Sequence, residues 1–213
     1  MHPLSVSTVA PRPRATLVPM ARQELAPDVE RQLVERAKVD MDGFAELYRH
    51  YLPRIHAFAW RRTGNTQAAE DICAATFEAA LRGISGYRWR KGGIGPWLFR
   101  IAANATIDHH RRESRPEGDR GQQAMAHLHQ PEASDDLDGV FGHDDRDRLR
   151  TALDQLNPRY QQAIALRYLA DLEPDQAARA MGLTKPALAV VLSRALKALR
   201  KQLDSEPPGG ELA

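Results

Sequence analysis

Apolar residues in this chain recur at helical spacing in two separate stretches and at strand spacing in none. That pattern restricts the fold more than any other feature, because it leaves an all-α protein built from two small helical modules. The first stretch opens near Asp28. Leu33, Val34 and Ala37 mark one face, and Phe44, Leu47, Tyr48, Tyr51, Ile55, Phe58 and Ala59 mark a longer one. Gly64-Asn65 reads as a helix stop followed by an N-cap. Ala69, Ile72, Cys73, Thr76, Phe77 and Ala80 then line the next helix, which ends near Gly83. Pro96 opens a further helix, where its missing amide donor is not needed. That helix carries Trp97, Leu98, Ile101, Ala102, Ala105 and Ile107 inward and closes on His109-His110-Arg111-Arg112.

Residues 114–143 keep no period and contain Pro116, Gly118, Gly121, Pro131 and Gly139, so they read as a flexible acidic linker. A transient helix around Met125 is the most structure expected there. Periodicity resumes with Leu149, Ala152, Leu153 and Leu156, and Asn157-Pro158 supplies a cap and a first-turn proline. Residues 1–27, rich in Pro and small polar side chains, and 205–213 read as disordered tails. The expected modules are therefore 28–113 and 144–204.

Charge narrows the class of partner. The net charge is only +2, but basic residues gather in 82–115 and 185–201, with Asp135, Asp136, Asp138, Asp144, Asp145 and Asp147 between them. That asymmetry suggests two basic modules on an acidic connector, which permits nucleic-acid binding without announcing it. The connector reads either as a solvated spacer or as a DNA mimic that holds the modules. Cys73 is the single cysteine, which excludes an intramolecular disulfide and points to a reducing compartment. On the apolar side of its helix it reads as a small buried hydrophobe. No apolar run is long enough to span a bilayer, and the Pro- and Arg-bearing N-terminus does not resemble a signal peptide. A soluble, cytoplasmic protein without membrane insertion is expected.

The most informative segment is Glu173 to Leu203. A short helix with Ala177, Ala178 and Ala180 allows close approach of a neighbour, Gly182 makes the turn, and Thr184 caps a second helix with Pro186 in its first turn. Leu188, Val191, Leu192, Ala195, Leu196 and Leu199 give that helix its apolar face. This is helix-turn-helix logic, in which the second helix enters the major groove; a plain helical hairpin is the bland alternative. The groove-facing positions hold Ala187, Ala189 and Val190, which touch thymine methyls but donate nothing to base edges. Lys185, Ser193, Arg194, Lys197 and Arg200 suit phosphates.

The segment 83–95 reads as a loop with an unusual mixture, setting Tyr87, Arg88, Trp89, Arg90 and Lys91 beside several glycines. Tyr87 reads as a hydrophobic plug and Trp97 as core. His109-His110 diverge on a helix and His127-x-His129 lies in the linker, so no metal site is expected. Gly92-Gly93-x-Gly95 lacks the strand and lysine of a phosphate-binding loop. No paired carboxylates, activated nucleophile or cofactor loop is present, so neither catalysis nor a cofactor is expected.

Ala69-Glu70-Asp71-Ile72-Cys73-Ala74-Ala75-Thr76-Phe77, Trp97-Leu98-Phe99-Arg100-Ile101-Ala102-Ala103-Asn104 and Ile107 to Arg112, followed by Leu156-Asn157-Pro158-Arg159-Tyr160, Ala177 to Leu183 and Leu192-Ser193-Arg194-Ala195, resemble the extracytoplasmic-function (ECF) group of bacterial RNA polymerase sigma factors. The resemblance covers roughly 44–112 and 147–203. It implies that Asp71, Ala74, Ala75 and Glu78 dock on the clamp helices of core RNA polymerase. It further implies that Arg88, Trp89, Arg90, Lys91, Asn104, Asp108, His109, Arg111 and Arg112 bind the −10 element of promoter DNA. Lys185, Pro186, Ala187, Ala189, Val190, Ser193, Arg194 and Lys197 would face the −35 element, with the second module also touching the polymerase flap and an anti-sigma factor as a further partner. Ala74 and Ala75 depart from the Gln and Glu usual in the family. A stand-alone helix-turn-helix regulator and a sigma-like protein with weak −35 reading are the competing functions.

Overall fold

The computed structural model describes residues 25–113 and 143–205. Among them the chain forms α1 (Pro27–Ala37), α2 (Met41–Thr63), α3 (Thr66–Gly83), a 3₁₀ turn (Ile84–Gly86), α4 (Gly95–Glu113), α5 (His143–Asp154), α6 (Pro158–Ile164) running into a π-turn (Ala165–Leu169), α7 (Pro174–Ala180) and α8 (Lys185–Ser205). There is no strand among these residues. Most of the expected tails and linker, Met125 included, lies outside the described residues, while Pro27, His143 and Ser205, expected in the tails and linker, are the end residues of α1, α5 and α8.

Local chemistry sets the helix boundaries. Asp40 starts α2 by accepting from the Gly43 amide, and Gly64 stops it in the left-handed region at φ 66°. Asn65 immediately caps α3 through the Ala68 amide, 2.9 Å away. Asn157 caps α6 through the Tyr160 amide at 3.0 Å, with Pro158 in the first turn. At α7 the Glu173 and Gln176 side chains form a reciprocal capping box. Gly182, at φ 66°, ends the turn after α7, and the Leu183 amide reaches back to the Ala178 carbonyl at 2.8 Å.

The first module packs α2 between α1 and α3 and lays α4 across α2 and α3. Phe58 and Phe99 meet edge to face at 5.6 Å inside it. The second module packs α5, α6 and α7 against α8. The two modules do not stand apart. One hydrophobic cluster runs from Leu47, Ile55 and Phe58 through Leu98 and Phe99 to Leu166, Ala177 and Leu188, so it draws on both. A separate cluster of Leu153, Leu156, Ile164 and Ala195 belongs to the second module alone.

Three large side chains assigned to apolar faces are exposed, Tyr48 among them. Leu149 is 41 % exposed and Leu196 is 42 % exposed. On α8 only Leu188 and Ala195 are buried, because α5, α6 and α7 cover one side of it and the apolar stripe is wider than that contact. Phe58 is 1 % exposed. Phe58→Ala should therefore destabilise the protein by about 3–5 kcal/mol, read as a shifted urea midpoint. A loss below about 1 kcal/mol would mean that the site collapses around the void.

Candidate nucleic-acid interface

Tyr87 and Glu30 hold the loop between α3 and α4. Tyr87, buried, donates its hydroxyl to the Gly93 carbonyl at 2.9 Å. Glu30 of α1 accepts from the Ile94 amide at 3.1 Å and also from the Tyr51 hydroxyl. Burial and the Glu30 charge push the Tyr87 hydroxyl up to about 12 and the Tyr51 hydroxyl further still, so both stay protonated donors. Gly92 and Gly93 take φ of 103° and 75°, and a Cβ on Gly93 would strike the Glu30 carboxylate.

This frame presents Arg88, Arg90 and Lys91 to solvent, while Trp89 is half-buried against the core. Tyr87 also tilts onto Trp97, with ring centroids 5.2 Å apart, as plug and core positions require. A cleft beside the loop is lined by Tyr87, Arg88, Arg90, Lys91, Trp97 and Arg100, and by Arg179 from α7. Sequence reasoning missed Arg179, because nothing in its own segment points toward the loop. Glu30 was missed for the same reason, being 64 positions from the amide that it holds.

Along α4 the predicted strand-binding side chains meet different fates. Asp108, Arg111 and Arg112 are exposed. Asn104 accepts a 2.8 Å hydrogen bond from Gln162 of α6. His109 and His110 are half-buried, and the His110 ring lies 3.3 Å from the Arg62 guanidinium and 3.5 Å from Asp154 of α5. Burial, then the Arg62 charge, lower the His110 pKa against the opposing pull of Asp154 and Glu113. Among the described residues no cluster of His, Cys, Asp and Glu is placed to hold a metal.

On α3, Asp71, Ala74 and Glu78 are exposed and Ala75 is half-exposed, at spacings that put all four on one stripe. Beside it Tyr48, 38 % exposed, tilts on Phe77 at 4.5 Å. Tyr48 is thus a flank of this surface rather than the buried residue that its spacing predicts. Cys73 sits beneath it, and burial pushes its thiol up to about 11, keeping it an uncharged hydrophobe.

In the second module Lys185, Pro186, Ala189, Val190, Ser193, Arg194 and Lys197 face solvent from α8, and Ala187 is half-exposed. Thr184 caps this helix weakly, its hydroxyl 3.4 Å from the Ala187 amide. Lys185 also lies 3.7 Å from Asp175 of α7. A groove beside this face is lined by Arg159 and Tyr160 of α6 with Ala187, Val190, Val191 and Arg194. Arg159 and Tyr160 were not singled out from sequence for this surface, since a first helical turn reads equally well as a cap.

A helical module with a basic loop, joined to a helix-turn-helix module, defines a two-part nucleic-acid-binding protein. The chain matches the Sigma-70 region 2 family over residues 47–116 and the Sigma-70 region 4 family over 146–199. It is 32 % identical over 177 residues to the ECF RNA polymerase sigma factor BldN of Streptomyces coelicolor, covering 82 % of this chain and 66 % of that one. SigW of Bacillus subtilis, another ECF sigma factor, is 26 % identical over 186 residues, covering 82 % of this chain and 96 % of SigW. The solved structure of CnrH in complex with the cytosolic domain of CnrY shares the fold, with a TM-score of 0.56, 19 % identity and coverage of 84 % of this chain and 99 % of that one. The chain belongs to the ECF group of sigma-70-type RNA polymerase sigma factors, which direct transcription initiation.

The His110 environment makes a direct prediction. Its lowered pKa means that packing around it is stabilised above the ordinary histidine value of 6.5 and weakened as pH falls below that value. Its proton NMR titration midpoint should fall below 6.5. A midpoint at or above that value would show a hydrated ring away from Arg62.

Proposed function

We propose that the first module, residues 28–113, docks on the polymerase clamp through Asp71, Ala74, Ala75 and Glu78, and opens the −10 element. Arg88, Trp89, Arg90 and Lys91 of the loop take up an unstacked base. Asn104, Asp108, His109, Arg111 and Arg112 of α4 hold the separated strand. The second module, 144–204, binds the −35 element through α8 and contacts the flap. The observation that carries this reading is the juxtaposition on one module of an exposed α3 stripe with a rigidly framed cationic loop and a basic helix end.

Planar and cationic side chains replace base stacking at about 1–3 kcal/mol per base. The chemistry of RNA synthesis lies with the polymerase, so the chain acts as a regulator and not as an enzyme. Work on DNA places it in the cytoplasm; among the described residues no helix is long and apolar enough to cross a membrane. An anti-sigma factor is a further partner in this proposal. The CnrH structure, a relative in fold, was solved with the cytosolic domain of CnrY bound.

At the −35 face the apolar start of α8 favours thymine methyl contacts and DNA shape over hydrogen-bonded base reading. Arg159 and Arg194 flank that groove as phosphate ligands. Adding the purified chain to core polymerase on fragmented genomic DNA should give discrete new transcript starts, and stable core binding without transcripts would favour a sigma-like protein that reads promoters poorly. Duplex binding without any core binding would favour a stand-alone regulator.

Two substitutions test the residue assignments. Trp89→Ala should reduce permanganate reactivity at −10 thymines more than it reduces capture of core polymerase; equal losses would assign Trp89 to packing. Arg194→Ala should weaken −35 duplex binding alike across sequences and reduce the salt slope by about one. A changed base preference in a randomised-promoter selection would make it a base reader.

A further inference from the structure

We propose that Glu30 of α1 is a positioning residue for −10 opening. It sets the conformation of the basic loop between α3 and α4, so that α1, which precedes the Sigma-70 region 2 match, belongs to the DNA-opening apparatus. The residue stands one turn before Leu33 and Val34, on the face of α1 that those two bury against α2. A carboxylate on an apolar face needs hydrogen-bond donors there, and both of its donors meet the same oxygen. Glu30 Oε1 accepts from the Tyr51 hydroxyl and, at 3.1 Å, from the Ile94 amide. Tyr51 and Ile94 are both buried. One atom therefore ties α1 to α2 and to the last residue before α4.

That atom fixes the loop at its exit. The Ile94 carbonyl accepts from the Trp97 and Leu98 amides at 3.0 and 3.1 Å and so starts α4, while the Ile94 amide is held by Glu30. A negative group at the start of a helix is also favoured by the helix dipole. One residue earlier, Gly93 has φ 75°, and a Cβ there would strike both carboxylate oxygens of Glu30. The Gly93 amide donates to the Arg90 carbonyl at 3.1 Å, and its carbonyl accepts from the Tyr87 hydroxyl at 2.9 Å. The backbone from 87 to 94 is thus closed on itself at Gly93 and anchored to α1 at Ile94. Between those points Arg88, Arg90 and Lys91 are exposed. Without Glu30 the Ile94 amide is buried with no acceptor, and Gly92 and Gly93 are free to take other conformations. An unstacked base then meets Trp89 and the cations in place only in a fraction of chains, and its apparent affinity falls by that fraction. The polymerase stripe on α3 and the −35 face on α8 take no part in these bonds, so the effect is confined to opening.

This inference deepens the −10 reading proposed above and rests on it, and the test separates the two. Full-length Glu30→Ala, Glu30→Gln and Trp89→Ala are compared with the parent chain, free and bound to core polymerase on one promoter. Because both donors use Oε1, glutamine can receive them on its carbonyl oxygen, whereas alanine receives neither. In the free chain, hydrogen exchange at the Ile94 amide should quicken about tenfold or more in Glu30→Ala and stay near the parent rate in Glu30→Gln. In the holoenzyme, permanganate reactivity of −10 thymines should fall about tenfold in Glu30→Ala and recover in Glu30→Gln, as loss and return of a charge-assisted hydrogen bond require. Capture of core polymerase and binding of −35 duplex should match the parent in both. An Ile94 amide that stays protected in Glu30→Ala would overturn the framing. Faster exchange with undiminished opening, while Trp89→Ala still impairs opening, would overturn the role of Glu30 and leave the −10 reading standing. Undiminished opening in both Glu30→Ala and Trp89→Ala would overturn both. Equal loss of core capture and opening in Glu30→Ala, without recovery in Glu30→Gln, would assign the residue to folding alone. Gly93→Ala displaces the carboxylate from the loop side and leaves α1 unaltered. It should lower opening and spare core capture, and undiminished opening in it would overturn the proposal even if Glu30→Ala fails to fold.

Discussion

The arrangement depends on a guanidinium that has almost no contact with water. Arg62 projects from the end of α2, the central helix of the first module, and finds its carboxylate in the second. Burying such a charge is costly unless it is paired and hydrogen-bonded, and removing its partner strands it at a cost of about 3–5 kcal/mol. The charge therefore ties the modules together conditionally. With Asp154 and Gln161 in place, it is compatible with the apolar cluster that spans Phe58, Phe99 and Leu166. With the modules apart, hydration is the alternative, and the apolar surface beside it must be covered by something else.

A second half-buried carboxylate plays a comparable part within the first module. Glu30 ties α1 to Tyr51 on α2 and to the amide of Ile94, at the point where the loop enters α4. The loop carries an excess of positive charge on glycine-rich backbone and would have little reason to hold one conformation alone. Tyr87 fixes it from within and Glu30 from outside. Placement of the cationic side chains thus traces to an acidic residue outside the loop and outside the matched family segment, which starts at residue 47.

Much of this was legible in the sequence, and the reasons are local. Gly64-Asn65, Asn157-Pro158 and Gly182 each mark a boundary by the chemistry of one or two residues, and the structure has a boundary at each. Helix faces were legible where the packed neighbours cover the whole apolar stripe, as α2 and α4 do for Ile72 and Phe77 on α3. Leu196 and Tyr48 were misread because periodicity tells which residues share a face but not how wide the covering surface is. The contacts from Arg62 to Asp154, Glu30 to Ile94 and Gln162 to Asn104 join positions 92, 64 and 58 apart, and no periodic signal reports such a distance. The predicted strand-binding residues on α4 were chosen as a group, yet packing divides them into those facing solvent and those engaged by the second module.

Gly64 brings these two levels together. Its left-handed backbone turns α2 into α3, and the space where its side chain would be is filled by Arg150 from α5. The smallest residue in the chain is therefore both a hinge within one module and a socket for the other. Evolution at this position is constrained twice over: asparagine, which tolerates the backbone, would still fill the socket. Homologues that keep the turn with a larger residue would have to hold their two modules at a different spacing.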